Sequence, residues 1–222
     1  MPPAILHKRG VFITATGTDT GKTYLSALLV KSLKAEGIHC AYYKPVLSGL
    51  IQRPDGGIDS DAVSVAQKAG LDDSSCVVSY QYKAPFSPHL AARQEGNPPR
   101  LSRIIADWKR VSAAHSFVVV EGAGGVICPL RCGADGLLLQ EAVIKSLRLD
   151  TFIVSGAALG SINSAVLSAA YLKQRRIRAL GFILNRWHGG LLEEDNKLMI
   201  ERLSGLPVLA TVQEGADTLD WR

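Results

Sequence analysis

Long apolar runs are missing from this 222-residue sequence, in which none reaches the roughly 18 residues that a transmembrane helix needs. The basic residues at positions 8 and 9 are not followed by a long apolar stretch, so we expect no secretory signal. Internal repeats and low-complexity tracts are absent as well. These absences predict a cytoplasmic protein that does not bind membranes.

Paired metal-ligand motifs are also missing. The four cysteines form no Cys-x-x-Cys pair, and Cys128 and Cys132 have no histidine or further cysteine close by. We therefore expect free thiols in a reducing compartment and no zinc site.

A concentrated basic surface is not evident either, although the formal net charge is +5. The densest cluster of lysine and arginine, at 173–178, falls where a helix is predicted to end. Cations are favourable at that end of a helix because of its dipole. Nucleic-acid binding is therefore not expected.

What the sequence does contain is an alternation of short apolar runs with periodic helical segments. With 47% apolar and 20% charged residues, the chain suits one large α/β domain over 1–222 better than two domains. The predicted strands are 11–15, 39–43, 117–121, 151–155, 179–184 and 207–210. The predicted helices are 22–36, 59–69, 101–114, 136–147, 161–174 and 192–203, and Gly37 and Gly70 stand where helix C-caps belong.

This alternation predicts a mostly parallel sheet that helices cover on both faces. Ligands bind such sheets outside the carboxyl ends of the strands, so the loops after the strands are the places to look for function. The proline-rich stretch at 80–100 is predicted to be a long connection with little regular structure.

A phosphate loop is predicted where the first strand runs through glycine into the first helix. Small residues let the backbone wrap a phosphate, and the amides at the helix start point towards it. Lys22 would neutralise terminal phosphates, and the hydroxyl of Thr23 would join the shell of a Mg²⁺ ion. Three residues separate Gly17 from Gly21, whereas the usual motif has four. The loop nevertheless indicates a P-loop NTPase-type fold that binds a nucleoside triphosphate and Mg²⁺.

Carboxylates that could hold the metal follow from two other segments. Glu121 ends the apolar strand 117–121 and is followed by glycines that allow a ligand to come close. Asp61 opens a predicted helix, where a plain capping role is the alternative. Lys44 ends the second predicted strand, and Pro45 biases its backbone towards an extended conformation that gives the side chain a defined direction. A second lysine at this edge would lie near the phosphates.

Taken together, these segments resemble the dethiobiotin synthetase family over most of the chain and in the same order. The segments that carry the resemblance are 16–23, 43–46 with Ser48 and Gly49, 60–62, 87–89, 94–96, 121–125, 159–163 and Asn185. The resemblance implies ring closure of 7,8-diaminopelargonate with CO₂ or bicarbonate, through a carbamate that ATP phosphorylates.

The resemblance also implies site residues. Lys44 and Lys22 would act on the carbamate and phosphate charges, and Thr23, Asp61 and Glu121 would bind Mg²⁺. The implied nucleotide-binding residues are Asp19, Thr20, Gly21, Lys22, Thr23, Tyr24, Asp61, Glu121, Gly122, Ala123, Gly124 and Asn185, of which Asn185 would read adenine. The implied substrate-binding residues are Ser48, Gly160, Ser161 and Asn163. The last three would hold the substrate carboxylate across the interface of a homodimer.

The chain departs from the family pattern in two places. Its phosphate loop lacks two residues between Thr20 and Gly21, which leaves the roles of Thr18, Asp19 and Thr20 open. Near the C-terminus, 211–214 replaces the Ile-Pro that the family often has beside the base.

Two other kinds of protein share parts of this pattern. Cobyrinic acid amidating enzymes usually carry a glutaminase domain, for which 222 residues leave no room. Partition and division-site ATPases act on DNA or membrane and carry an extra lysine early in the phosphate loop, and 16–20 has none. Both are less favoured than the synthetase.

Overall fold

The computed structural model describes residues 8–134, 136–219 and 221, so the first seven residues, on which the absence of a secretory signal partly rests, lie outside it. The strands are β1 Gly10–Ala15, β2 Cys40–Ser48, β3 Ile51–Gln52, β4 Ile58–Asp59, β5 Cys76–Tyr82, β6 Phe117–Glu121, β7 Pro129–Gly133, β8 Gly136–Leu139, β9 Asp150–Gly156, β10 Ala179–Asn185 and β11 Val208–Val212. The helices are α1 Lys22–Ala35, α2 Asp61–Ala69, α3 Pro88–Gln94, α4 Leu101–Ala114, α5 Gln140–Leu147, α6 Ser161–Gln174 and α7 Leu191–Ser204. Among these helices none is long and apolar enough to cross a bilayer.

Seven of the strands form one sheet in the order β11-β10-β9-β1-β6-β2-β5, and every neighbouring pair is parallel. Successive side chains of a strand point to opposite faces, so Val11 and Ile13 of β1 face α1 and α2, whereas Phe12 faces the side that α4 to α7 cover. A parallel sheet with helices on both faces is therefore confirmed. It puts the ends of β1, β6 and β2 side by side.

Several predicted bounds need correction. Residues 136–139 form strand β8, which pairs with β7, so the helix predicted for 136–147 begins only at Gln140. The stretch 80–100, predicted to be irregular, contains the end of β5 and helix α3. Gly70 caps α2 with a φ of 62°, as predicted, whereas Glu36 caps α1 and Gly37 comes next with a φ of 76°.

Strand β2 also runs further than predicted, through Pro45 to Ser48. Its pairing with β6 ends at Tyr43, and from there the strand continues beside β5. Proline cannot donate a ladder hydrogen bond, and Pro45 stands beyond the last β6 partner and between two residues that pair with β5. Lys44 therefore lies inside the strand and not at its end.

Candidate active site

A cavity of about 1040 Å³ opens at the carboxyl edge of the sheet. The predicted site residues that line it are Asp19, Gly21, Lys22, Thr23, Tyr24, Lys44, Ser48, Asp61, Glu121, Ala123 and Gly124. The structure thus gathers segments that are far apart in sequence at one opening. Thr20, Gly122 and Asn185 are sequence neighbours of lining residues but do not line the cavity themselves, and Gly160, Ser161 and Asn163 are not part of it either.

The phosphate loop joins β1 to α1 as predicted. Gly21 has a φ of 96°, a left-handed conformation that glycine adopts without the steric cost of a Cβ atom. Lys22 is 8% exposed, and its Nζ donates to the carbonyl of Gly17 at 3.2 Å. The ammonium group therefore folds back over the loop whose phosphates it would neutralise.

Asn185, at the end of β10, holds this loop in place through a hydrogen bond and close packing. Its Nδ2 donates to the carbonyl of Thr20 at 2.9 Å. The amide packs so closely on Gly21 that a Cβ atom there would lie 2.0 Å from Nδ2. Any larger residue at position 21 would displace Asn185, so the two residues fix each other.

Glu121 is fully buried at the end of β6 and accepts three hydrogen bonds. The hydroxyl of Tyr42 donates to one carboxylate oxygen at 3.0 Å. The hydroxyl of Thr23 and the ammonium of Lys44 donate to the other, at 3.0 and 2.5 Å. A buried carboxylate is costly unless it is paired and hydrogen-bonded, and these donors meet that requirement.

Asp61 completes this polar centre, and its role is not helix capping. The hydroxyl of Ser60 caps α2 by accepting from the amide of Val63 at 3.3 Å. The Asp61 carboxylate instead accepts a hydrogen bond from Lys44. Lys44 is 3% exposed and bridges the two acids.

The charges of this cluster shift one another's pKa values. Burial works to lower the pKa of Lys44, but the carboxylates of Glu121 and Asp61 outweigh it and raise the pKa. For Lys22 burial prevails, with help from the nearby charge of Lys44, and the pKa is lowered. Burial works to raise the pKa of Asp61, but Lys44 and the hydroxyl of Thr23 hold it below its usual value. Lys44 and Asp61 are therefore both kept in their charged forms.

The glycine-rich loop after Glu121 is positioned by Gln140, the first residue of α5. Its Oε1 accepts from the amide of Ala123 at 2.7 Å, and its Nε2 donates to the carbonyl of Gly125 at 3.2 Å. A Cβ atom at Gly122 would lie 2.4 Å from Gln140 Oε1, so this position needs glycine. Close packing on Gln140 explains the glycine here, alongside the ligand approach that the sequence suggested.

Sequence reasoning missed several residues of the site. Tyr42 and Gln140 carried no signal, because one sits in an apolar strand and the other in a predicted helix. The remaining unpredicted lining residues are Thr18, Val46, Gly49, Pro85, Phe86, Ser87, Pro88, Gly125, Ile127, Cys128, Pro129 and Arg186. Six of these residues belong to the motifs that carried the family resemblance, so those motifs could have pointed to them: Thr18, Val46, Gly49, Ser87, Pro88 and Gly125.

The residues predicted to bind Mg²⁺ have the chemistry that this ion requires. Magnesium takes oxygen ligands, commonly one or two carboxylates completed by water and phosphate. Thr23 and Glu121 present oxygens 3.0 Å apart, and Lys44 bonds to both Glu121 and Asp61. An ammonium group held between two carboxylates marks a place that suits a cation.

The segment at the start of α6 lies outside this cavity. Gly160 has a φ of 89° and precedes the helix without a side-chain cap. Asn163 is exposed, and within the described chain the buried hydroxyl of Ser161 has no hydrogen-bond partner. Gly160 and Asn163 are therefore accessible at the surface, whereas the Ser161 hydroxyl is buried.

Comparison with known sequences gives one consistent result. The chain matches the family described as AAA domain over residues 9–220. It is 42% identical to an ATP-dependent dethiobiotin synthetase from Brachyspira hyodysenteriae, with 96% of this chain and 95% of that one covered. It is 37% identical to the enzyme of the same name from Clostridium perfringens (strain 13), with 95% and 92% covered.

Solved structures agree on the fold. The cell division ATPase MinD from Pyrococcus furiosus has a TM-score of 0.56 and 16% identity, with 93% of this chain and 84% of that one covered. Chloroplast FtsY from Physcomitrella patens has a TM-score of 0.54 and 20% identity, with 97% and 62% covered. At such low identity these neighbours support the P-loop fold and carry no argument about activity.

Proposed function

The chain belongs to the family of ATP-dependent dethiobiotin synthetases, ligases that form C–N bonds, and we propose that its cavity closes the ureido ring of dethiobiotin. The substrates are 7,8-diaminopelargonate, CO₂ or bicarbonate, and ATP. The observation that carries the proposal is the convergence of Lys22, Lys44, Thr23, Asp61 and Glu121 on one cavity at the phosphate loop. The names of the relatives supply ATP and the product, dethiobiotin, and the diamine follows from the family resemblance.

The chemistry needs positioned charge more than a protein acid or base. One amine of the substrate carries CO₂ as a carbamate, whose oxygen attacks the γ-phosphorus and releases ADP. The second amine then attacks the carbamoyl carbon, closes the ring and expels phosphate. Both steps gather negative charge, which fixed cations stabilise in a site that excludes water.

Lys22 and Lys44 are the cations in the proposed mechanism. Lys22 starts α1 and reaches over the loop, where it would contact the β- and γ-phosphates. Lys44 comes from β2, on the far side of β6 from β1, so it would meet the γ-phosphate from the carbamate side. Ser48, four residues further along the same strand, would bind the diamine or the carbamate.

Mg²⁺ would be held by Thr23, Asp61 and Glu121. The ion would neutralise charge on the phosphate oxygens when bound. Lys44 now bonds to both carboxylates, so its ammonium group would exchange those partners for the carbamate and γ-phosphate oxygens as the site fills.

The proposal includes a homodimer in which Gly160, Ser161 and Asn163 hold the substrate carboxylate of the partner's site. Support comes from the family resemblance, from the helix start and from the position of these residues outside their own cavity. A cytoplasmic location completes the proposal, and it agrees with the free state of all four cysteines.

The deciding experiment measures phosphate release from ATP by the purified protein. Release should depend on both diaminopelargonate and bicarbonate and should be accompanied by dethiobiotin in equal amount. DNA and lipid vesicles serve as controls for the division-site ATPase alternative. Turnover that responds to DNA or lipid and ignores the diamine would refute the proposal.

A mixing experiment tests the dimer. Asn163→Ala should weaken diamine binding about ten- to a hundredfold and leave ATP binding nearly intact, since one hydrogen bond to a charged group is lost. A mixed dimer of Lys22→Ala and Asn163→Ala chains has one site with both defects and one with neither, so activity should return on mixing. No recovery despite confirmed subunit exchange would show that the carboxylate is not held by the partner.

A further inference from the structure

Four residues other than glycine have a left-handed backbone, within the part of the chain that the structure describes: Asp19, Arg148, Arg176 and Arg186, with φ values of 55° or 56°. Arg148 caps α5, and Arg176 directly follows the cap of α6. Left-handed residues are common at helix ends, so these two have an ordinary explanation. Asp19 and Arg186 cap no helix, and both line the cavity. Unusual backbone conformations concentrate at functional sites, which makes Arg186 a candidate functional residue.

Arg186 is fixed in place by both of its neighbours. Asn185 bonds to the phosphate loop through the carbonyl of Thr20. Trp187 is buried, and its amide donates to the carbonyl of Val212 in β11 at 2.9 Å. The arginine side chain therefore starts from a rigid point beside the loop.

The guanidinium group has no partner among the residues that the structure describes. Arg186 is exposed, and it makes no hydrogen bond or ion pair with any other described residue. The other cations of the cavity are occupied, because Lys44 bonds to Glu121 and Asp61, and Lys22 bonds to the carbonyl of Gly17. Arg186 is thus the cation of the described lining that is left for a further anionic group.

The position of β10 indicates which anionic group. In the sheet, β10 lies on one side of β1, whereas β6 and β2 lie on the other. Lys44 and Glu121 occupy the β6–β2 side, where the γ-phosphate is proposed to react. Arg186, directly after β10, lines the cavity on the opposite side, beside Asn185. Since Asn185 is expected to read adenine, the phosphates nearer the nucleoside would lie on this side.

The short phosphate loop leaves phosphate oxygens that such a contact could bind. Backbone amides of the loop cradle the phosphates, and here three residues between Gly17 and Gly21 replace the usual four. A shorter loop offers fewer amides. A guanidinium group, with its planar set of five donors, can bind the phosphate oxygens that the loop no longer reaches.

We propose that Arg186 binds the α- and β-phosphates of the nucleotide and replaces donors that the short loop lacks. This inference rests on the proposed function, because it takes the cavity to be a nucleotide site.

Calorimetric titration with ADP and with ATP tests the proposal. Arg186→Gln should lower the affinity for ADP and for ATP by a similar factor, about ten- to a hundredfold, since a charged hydrogen-bond donor is lost. Arg186→Lys should recover part of the loss, because it keeps the charge without the planar donor pair. Arg176→Gln is the matched control, since it alters an exposed left-handed arginine outside the cavity. This variant should bind ADP and ATP with the affinity of the parent.

Each other outcome overturns the inference in a distinct way. Parent-like ADP binding by folded Arg186→Gln would exclude the contact, and a loss confined to ATP would move it to the γ-phosphate. If the affinity of Arg186→Gln for adenosine, measured by competition with ADP, falls by the same factor, the side chain stacks on the base. Lys22→Ala separates this inference from the proposed function. If Lys22→Ala no longer binds ATP while Arg186→Gln binds it like the parent, only the inference about Arg186 fails. If the parent protein binds no ATP, the proposed function fails as well.

Discussion

Replacing Lys44 with methionine should destabilise the protein strongly, apart from any effect on activity. Methionine keeps most of the length of the side chain but removes the charge that faces Glu121 and Asp61. Asp61 can turn towards water, since its side chain is 42% exposed. Glu121 cannot, because it is fully buried, and it would keep only the hydroxyls of Tyr42 and Thr23 as donors.

The size of the effect follows from what remains around Glu121. Removing one partner of a buried ion pair costs about 3–5 kcal/mol, because the other charge is left uncompensated. The two remaining hydroxyl donors offset part of that cost, so we expect about 3 kcal/mol for Lys44→Met. In the double variant Lys44→Met/Glu121→Gln neither member of the buried pair carries a charge. Its loss should be smaller than the sum of the two single losses by about 1–3 kcal/mol.

Urea unfolding in the presence of a chelator measures these differences, provided that the slope with denaturant stays constant. Lys197→Met is the matched control, because Lys197 is a buried lysine whose acidic partner, Glu194, has a 58% exposed side chain. Such a pair contributes little to stability, so the free energy of unfolding of Lys197→Met should fall by about 1 kcal/mol or less. If Lys44→Met loses no more than Lys197→Met, or if the Lys44 and Glu121 losses simply add, the two groups are not an energetically coupled buried pair.

Three further predictions concern the site and its surroundings. Lys22→Ala should abolish most ATP binding and turnover while the circular dichroism spectrum stays unchanged, and undiminished turnover would exclude the phosphate-loop assignment. Asp61→Asn and Glu121→Gln should each raise the Mg²⁺ concentration needed for half-maximal activity, and titration curves that overlay the parent would remove both from the metal shell. Burial works to raise the pKa of Glu193, but the amides of His188 and Gly189 hold it below its usual value. The Glu193 carboxylate therefore stabilises the fold above about pH 4.5, and this stabilisation is lost as pH falls through the lower native pKa. Between about pH 6 and pH 3, the free energy of unfolding in urea should fall less for Glu193→Gln than for the parent.

The regular part of the fold could be predicted because its signals are local. Helices 101–114 and 161–174 and strand 117–121 have the predicted bounds, since each is a clear run of one periodicity. Strand β5 was missed although it belongs to the main sheet. Its sequence mixes polar with apolar residues, and as an edge strand it has a paired neighbour on one side only, so it lacks the continuous apolar run of β6.

The acidic centre could be predicted only in outline. A carboxylate at the end of an apolar strand and a lysine in another strand indicate a site, but their contact depends on which strands are neighbours. In this sheet β6 lies between β1 and β2, and that order brings Thr23, Glu121 and Lys44 together. Tyr42 belongs to the same centre for the same reason, and no property of its local sequence distinguishes it from a core tyrosine.

Asn185 shows how a residue can be predicted and still be understood differently once its surroundings are known. The family resemblance implies that it reads adenine, whereas its amide nitrogen here bonds to Thr20, which is 165 residues away in sequence. An asparagine amide has two donor hydrogens and an acceptor oxygen, so one bond to the loop leaves a donor and an acceptor for a base. The two roles are therefore compatible, and together they would couple base binding to the conformation of the phosphate loop. That coupling depends on the close packing of Asn185 against Gly21, which the linear sequence does not reveal.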